Sequence, residues 1–295
     1  MFVLIIINKM KIIDGKKIGE KIKDSIAKEV FDLIKKNERR PNLSIILAGD
    51  RSDSRLYVSL KEKSAKGVGI DTNLYLIDET DGQENLIKTI EFLNNDKSVD
   101  GILIQLPLPK KFNTEEVLKK INPTKDVDGF CFDRPKEILS PVLMAIKESL
   151  DCVNNSFKKE SAFLFYNSEI FKEEVKNFLE KSNIKIDSIC SEEFNKIKNN
   201  QSDLDKIKNR VKSCDILITA VGNPHFINKD FLKNKMIIID IGITTKDKKV
   251  FGDVDLSETE NLDLIATPVP GGIGPVTVAC VLKNTLTVYK LKNKL

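Results

Sequence analysis

The sequence is poorest in residues that usually carry metal and thiol chemistry. Across 295 residues there is one histidine, His225, and no tryptophan. The five cysteines, Cys131, Cys152, Cys190, Cys214 and Cys280, are far apart and form no CxxC pair. A zinc site or a Cys–His catalytic pair therefore has little material, and no metal is expected. The pattern instead fits buried free thiols in a reducing compartment, cytoplasmic or organellar. An excess of one charge is also missing: 48 basic residues face 44 acidic ones, net +4, which gives no reason to invoke nucleic acid. Long apolar runs are absent too. The N-terminal MFVLIII is too short to span a bilayer and lacks a signal-peptide cleavage pattern, so it reads as an edge strand or extension.

What is present is alternation. Ile18, Ile22, Ile26, Val30 and Ile34 recur at four-residue steps and predict a helix before Pro41. LSIILAG, NLYLI and VDGILIQLPLP read as strands, separated by helices DRSDSRLYVSLKEKSAKGVGI and QENLIKTIEFLNND. The first helix has Ser or Asp available as N-cap and Gly67 or Gly69 near its end. The second half repeats the scheme, with strands SAFLFYN, IKIDSIC, DILITAVG and MIIIDIGI around helices SEIFKEEVKNFLEKSN and DLDKIKNRVKSC. Continuous apolar strands alternating with helices predict an α/β protein of two domains with parallel sheets. The Lys/Asn/Ser-rich stretch from Ser191 to Ser202 is expected to be the least structured part. The boundary is placed near PVLMAIKESLDC, giving a first domain over 1–145, completed by a C-terminal helix over 273–295, and a second over 146–272.

Polar groups at strand ends mark candidate chemistry, because ligands of open parallel sheets collect there. Tyr57 and Lys61 are four apart on one helix face, although such pairs are often only solvated. Gln105 ends an apolar strand ahead of Pro107 and Pro109, and Asp126 and Asp128 follow in a loop. The densest feature is ATPVPGGIGPVTVACVL, with three prolines and three glycines between Pro268 and Pro275. Proline fixes φ and glycine permits close approach, so this reads either as a domain connector or as a rigid loop against a flat ligand. His225 in GNPHFIN reads as a loop residue rather than a catalytic one.

In combination, SRLYVSLKEKSAKGVGI, DGILIQLPLP, PTKDVDGF, CDILITAVGNP, MIIIDIGI, FGDVDL and TPVPGGIGPVTVACVLKNT resemble the bifunctional methylenetetrahydrofolate dehydrogenase/cyclohydrolase family. The resemblance implies a Rossmann-like second domain, a cleft between the domains, and a cytoplasmic homodimer formed mainly by the second domain. It implies oxidation of 5,10-methylenetetrahydrofolate to the methenyl form with NADP, then hydrolysis to 10-formyltetrahydrofolate, a one-carbon donor for purine synthesis. Carried over by position, Lys61 and Tyr57 are the catalytic lysine and tyrosine, Gln105 positions the lysine, and Asp128 holds the pterin. Leu106, Pro107, Pro270, Gly271 and Gly272 fall at the folate. Tyr166, Asn167, Ser168, Ser191, Ile243 and Gly274 fall at the dinucleotide.

The sequence departs from the family at that last site. Only Ser168 survives in FLFYNSEIFKEEV: Tyr166 stands for a glycine, Asn167 for the arginine that meets a 2′-phosphate, and Lys172 and Glu174 for a later Gly and Pro. LSPVLMAI also replaces the family's Pro-Cys-Thr-Pro segment. Ser191, Glu192 and Glu193 end the next strand, where a carboxylate suits a ribose hydroxyl and repels a phosphate. The expectation is weaker NADP binding than usual, NAD bound comparably or better, and Lys172 as the candidate replacement cation. Two other readings stay open: cyclohydrolase alone, and a non-catalytic folate-binding or dimerising subunit, which intact Lys61 and Gln105 disfavour.

Overall fold

The computed structural model describes residues 4–7, 9–131, 133–247 and 249–295. Along the chain the first elements are β1 (Leu4–Ile7), β2 (Met10–Ile13), α1 (Gly15–Lys35), β3 (Asn42–Ala48), α2 (Ser52–Gly67) and β4 (Asp71–Ile77). Then come α3 (Gly82–Asn95), β5 (Gly101–Ile104), α4 (Thr114–Leu118) and α5 (Pro141–Asp151). β6 (Ser161–Tyr166), α6 (Glu169–Lys181), β7 (Lys185–Cys190), α7 (Ser191–Ile197), α8 (Gln201–Ser213) and β8 (Ile216–Ala220) follow. β9 (Ile237–Asp240), the hairpin β10 (Thr244–Lys246) and β11 (Lys249–Phe251), β12 (Ile265–Ala266) and α9 (Ile273–Asn293) complete it. No helix among the described residues is long and apolar enough to cross a membrane.

The chain divides into two compact units. One is Gly19–Met144 with Thr277–Leu295; the other is Ala145–Val276 with the described residues up to Ile18. The N-terminal strands thus belong with the second unit rather than with residues 19–144, where a first domain over 1–145 would put them. The cause is backbone pairing: β2 lies parallel to β12, and β1 runs antiparallel on its outer edge, as expected of an edge strand. The first three residues of the apolar N-terminal run lie outside the described residues.

In the first unit β3 is central, parallel to β4 on one side and β5 on the other. Its residues Leu43, Ile45, Ile46 and Leu47 are buried, which explains a run apolar on both faces. α1 buries Ile18, Ile22, Ile26 and Val30, but Ile34 is 40% exposed and Leu33 takes its place. A four-residue step overshoots a 3.6-residue turn by roughly 40°, so the apolar stripe must shift back by one residue. α2 begins at Arg51 without a side-chain cap, contrary to the expected Ser or Asp. Beyond its end Gly69 takes φ 80, the left-handed conformation that glycine adopts without strain. α9 is buried along much of its length, at Ala279, Cys280, Val281, Leu282, Leu286, Val288 and Tyr289.

The second unit is built on a seven-stranded sheet, β1-β2-β12-β9-β8-β6-β7, parallel except at β1. From β7 the chain crosses back over β6 to β8, so strand order reverses between β6 and β8, where such sheets bind ligands. Without tryptophan, phenylalanines fill its core: Phe165 meets Phe194, Phe226 and Phe231 edge-on, with centroids 5.3, 5.5 and 6.3 Å away. Phe194 belongs to α7, and with α8 beginning at Gln201 helix covers most of Ser191 to Ser202, the stretch expected to be the least structured. Phe194 is 3% exposed, and Ile197, one turn on, packs partly buried against the same core, so two apolar residues anchor an otherwise polar stretch.

Space decides one position of the first unit outright. A Cβ on Gly101, at the start of β5, would stand 2.6 Å from Cγ1 of Val127 and 3.3 Å from Leu43 and Thr285. Gly101→Ala should therefore cost about 1–3 kcal/mol through overpacking. Urea unfolding measures it, and an unchanged midpoint would show that Val127 yields freely.

Candidate functional site

The apolar strands end in polar groups, and three of these converge in the first unit. Gln105 extends β5; its backbone N–H donates to the Ile46 carbonyl at 2.9 Å, and the residue is 8% exposed. From that fixed position its side-chain oxygen accepts from the Lys61 ammonium or amine at 2.9 Å. Its amide nitrogen donates to the Leu106 carbonyl at 2.7 Å. A carbonyl can only accept, so this second bond turns the amide oxygen toward Lys61. Tyr57 lies one helical turn before Lys61 on the same face of α2, and both are half-buried. The Leu106–Pro107 peptide bond is cis.

The two loop aspartates divide their labour. Asp126 is fully buried; its Oδ1 accepts from the backbone N–H of Asp128 at 3.2 Å and Gly129 at 2.9 Å, and its Oδ2 from Cys131 at 2.6 Å. Asp126 therefore shapes the loop that carries Asp128. Gly129 takes φ 76, and a Cβ there would press within 3.0 Å of the Ser140 backbone. Asn284 of α9 completes the frame by donating to the carbonyls of Val127 and Leu139, both at 2.8 Å.

Charge in this site is held away from water. Burial lowers the pKa of Lys61 below the usual lysine value, while neighbouring Asp128 pulls it back up. Burial likewise pushes Asp128 up to about 6; Lys61 opposes that rise and Asp126 adds to it. The result is an amine readily made neutral, aimed by an amide and next to a carboxyl that titrates close to neutrality. Among the described residues no group of three His, Cys, Asp or Glu side chains could hold a metal ion.

In the second unit the expected dinucleotide residues also meet, in an unexpected way. Asn167 follows β6 and donates to the Val221 carbonyl beyond β8 at 2.5 Å, while the Ser191 hydroxyl beyond β7 donates to the Asn167 oxygen. Ser168 caps α6 by accepting from the Phe171 N–H at 3.3 Å. Tyr166 is buried, and its hydroxyl donates to Glu169 at 2.7 Å. Lys172 pairs with Glu169 at 2.9 Å and Glu173 at 3.1 Å. Glu192 and Glu193 lie exposed in the first turn of α7.

Farther along the same sheet, glycine is demanded by space. A Cβ on Gly272 would lie 2.5 Å from the Pro268 carbonyl oxygen, and one on Gly15 would lie 1.8 Å from the Gly272 oxygen. Gly271 takes φ 104, Pro270 is exposed after a cis bond, and Gly274 faces Ile243 at ordinary contact distance. His225 sits in a loop with φ 54, its Nδ1 3.5 Å from Asp255. Sequence reasoning assigned no role to Asp240 and Asp253, both buried. Asp240 accepts from Thr219, Gly242, Asp253 and Val254; Asp253 accepts from Val221 and Asn223. Together they fix the loops after β8 and β9. The signal available was Asp240 closing the apolar run MIIID, and Asp253 directly after Gly252 in FGDVD.

Residues 13–128 match the model of the tetrahydrofolate dehydrogenase/cyclohydrolase catalytic domain, and residues 144–293 that family's NAD(P)-binding domain. The chain is 39% identical to the bifunctional protein FolD of Sulfurihydrogenibium over 96% of its length and 99% of the relative's. A solved bifunctional FolD of Campylobacter jejuni superposes with TM-score 0.84 at 30% identity, covering 97% of this chain and all of that one. The Trypanosoma brucei enzyme, solved with NADP and an inhibitor, gives 0.85 at 28% identity, covering 96% and 98%. The chain belongs to the tetrahydrofolate dehydrogenase/cyclohydrolase family.

Proposed function

We propose that this chain oxidises 5,10-methylenetetrahydrofolate to the methenyl form with NADP and hydrolyses that to 10-formyltetrahydrofolate, using Lys61, Gln105, Tyr57 and Asp128. The observation that carries the reading is the Lys61–Gln105 hydrogen bond around an amine whose pKa is lowered by burial.

The methenyl carbon belongs to a cationic amidinium. A cation beside Lys61 disfavours the ammonium further, so the amine enters the reaction neutral. Water adds to the carbon as Lys61 takes one of its protons; the carbon–N5 bond then breaks as the adduct's hydroxyl forms the formyl C=O and releases its proton to solvent, and Lys61 returns its own proton to N5. Gln105 keeps the amine in line and returns it to one position between the two transfers. Tyr57 offers a flat face to the folate. Ionised Asp128 accepts from the pterin amino group and ring N–H. All four groups belong to the first unit.

A bound nicotinamide dinucleotide supplies the hydride acceptor for the oxidation. The second unit fits one end of that group: Asp240 and Asp253 fix loops at the β8 and β9 ends, and Gly272 lets the Pro268–Pro275 segment fold tightly on itself as a rigid wall beside them. The T. brucei relative solved with NADP supports the same cofactor class here. At the phosphate end the residues fit less well, since Tyr166 and Glu169 stand at the β6–α6 turn. That turn favours a second reading, hydrolysis alone. The purified chain, assayed for methenyltetrahydrofolate hydrolysis with and without dinucleotide and for dinucleotide reduction, separates the two. The family also supports a cytoplasmic homodimer serving purine synthesis; sedimentation at micromolar concentration should show two chains, and a monomer would refute it.

Lys61→Ala should lower kcat for both reactions more than about a hundredfold, as loss of a positioned proton-transfer group does. Near wild-type turnover in a folded variant would remove Lys61 from the mechanism. Asp128→Asn should act in opposite directions on stability and binding. Below the ordinary value near 3.8 the carboxyl is protonated in both folded and unfolded chains, and the substitution changes little. As pH rises toward 6 the unfolded chain ionises first, so wild-type stability falls, and above 6 the whole penalty is present. The variant should therefore melt higher than wild type at pH 7 but not at pH 3.5, while KM for the folate rises. A lower melting temperature at pH 7 would contradict this burial argument.

A further inference from the structure

We propose that Asn167 closes the first β–α turn of the second unit, and that the dinucleotide site consequently binds NAD at least as tightly as NADP. The inference rests on the reading that this unit holds a nicotinamide dinucleotide.

Strand order reverses between β6 and β8, and the diphosphate of a dinucleotide is expected outside that point. The Asn167 side chain spans it. One amide hydrogen goes to the Val221 carbonyl after β8, and the amide oxygen takes the Ser191 hydroxyl after β7. One neutral side chain thus ties three strand ends together. An arginine at this place could pair with a 2′-phosphate through two parallel N–H donors; an asparagine so engaged has no charge to offer.

Among the described residues, the cations nearest the turn in sequence or at the end of β7 are already paired. Lys172 is the nearest in sequence to the turn, but Glu169 and Glu173 flank its ammonium and the Tyr166 ring lies 5.7 Å away. Arg210 donates to both oxygens of Asp187, at 2.9 and 2.6 Å. The charges in the first turn after β7 are negative, Glu192 and Glu193, both exposed, the second close enough to Arg210 to raise its pKa. A 2′-phosphate would have to approach these carboxylates or displace one from Lys172. A ribose hydroxyl, by contrast, is a donor that a carboxylate or the Asn167 oxygen can accept. Tyr166 and Glu169 hinder the diphosphate common to both cofactors, so they lower both affinities and leave the ratio to the groups near the 2′ position.

Calorimetric titration of the full-length protein with NAD and with NADP measures that ratio without turnover. The expected result is NAD bound as tightly as NADP or tighter. Asn167→Arg should shift the ratio toward NADP by roughly tenfold to a hundredfold, the usual worth of one charge-assisted contact. Lys172→Ala should leave it unchanged. NADP more than tenfold tighter in the wild type, or a selective loss of NADP affinity in Lys172→Ala, would overturn the proposal. Absence of binding by either cofactor would overturn it as well. Methenyltetrahydrofolate hydrolysis, measured on the same sample, then tells whether the enzyme reading itself survives.

Discussion

The hydrogen bond from Lys61 to Gln105 is the contact on which the rest of the first unit converges. A lysine amine is useful for moving protons near neutrality only if its charge is discouraged, and burial is what discourages it. A flexible four-carbon stem would otherwise carry that amine back to water. Gln105 prevents this because it is itself immobile. Its backbone continues the β5 ladder, its side-chain nitrogen is committed to the Leu106 carbonyl, and only its oxygen remains for the lysine.

Asp128 is held by a comparable hierarchy. Asp126 and Asn284 spend their hydrogen-bonding capacity on the loop backbone, one from within the loop and one from α9. The loop that carries Asp128 is thereby fixed without using the Asp128 carboxyl. Its position is unfavourable to an isolated charge, as its rise to about 6 records. The surrounding buried residues of β3, β5 and α9 supply the stability that lets the unit tolerate two partly desolvated ionisable groups. The second unit shows the same arrangement at a different place, with buried Asp240 and Asp253 serving loop backbone at the ends of β8 and β9.

How much of this was legible from sequence follows from how local each signal is. Lys61 and Tyr57 declare themselves by helical spacing, and Gln105 by standing alone after a run of aliphatics. Parallel strands were readable as continuous apolar runs. Asn284 was not readable, because its partners Val127 and Leu139 lie 157 and 145 residues away and its own helix explains an asparagine equally well. The partnership of β2 with β12 is hidden for the same reason, and it moves the N-terminal strands into the second unit. α7 was missed because its polar composition outweighs the two residues, Phe194 and Ile197, that pack it against the core. At the β6–α6 turn the sequence indicated what is missing, glycines and an arginine; only the structure shows Asn167 bonded across three strand ends and Lys172 already paired.

Burial holds the pKa of Lys61 below that of an ordinary lysine. Nuclear magnetic resonance of protein carrying isotopically labelled lysine, titrated between pH 6 and 11 with Lys61→Ala used to assign its signal, tests that claim most directly. The Lys61 signal should titrate at lower pH than those of the exposed lysines, and lower still in Asp128→Asn, which removes the carboxylate that raises it. A Lys61 signal that titrates together with the surface lysines would contradict it.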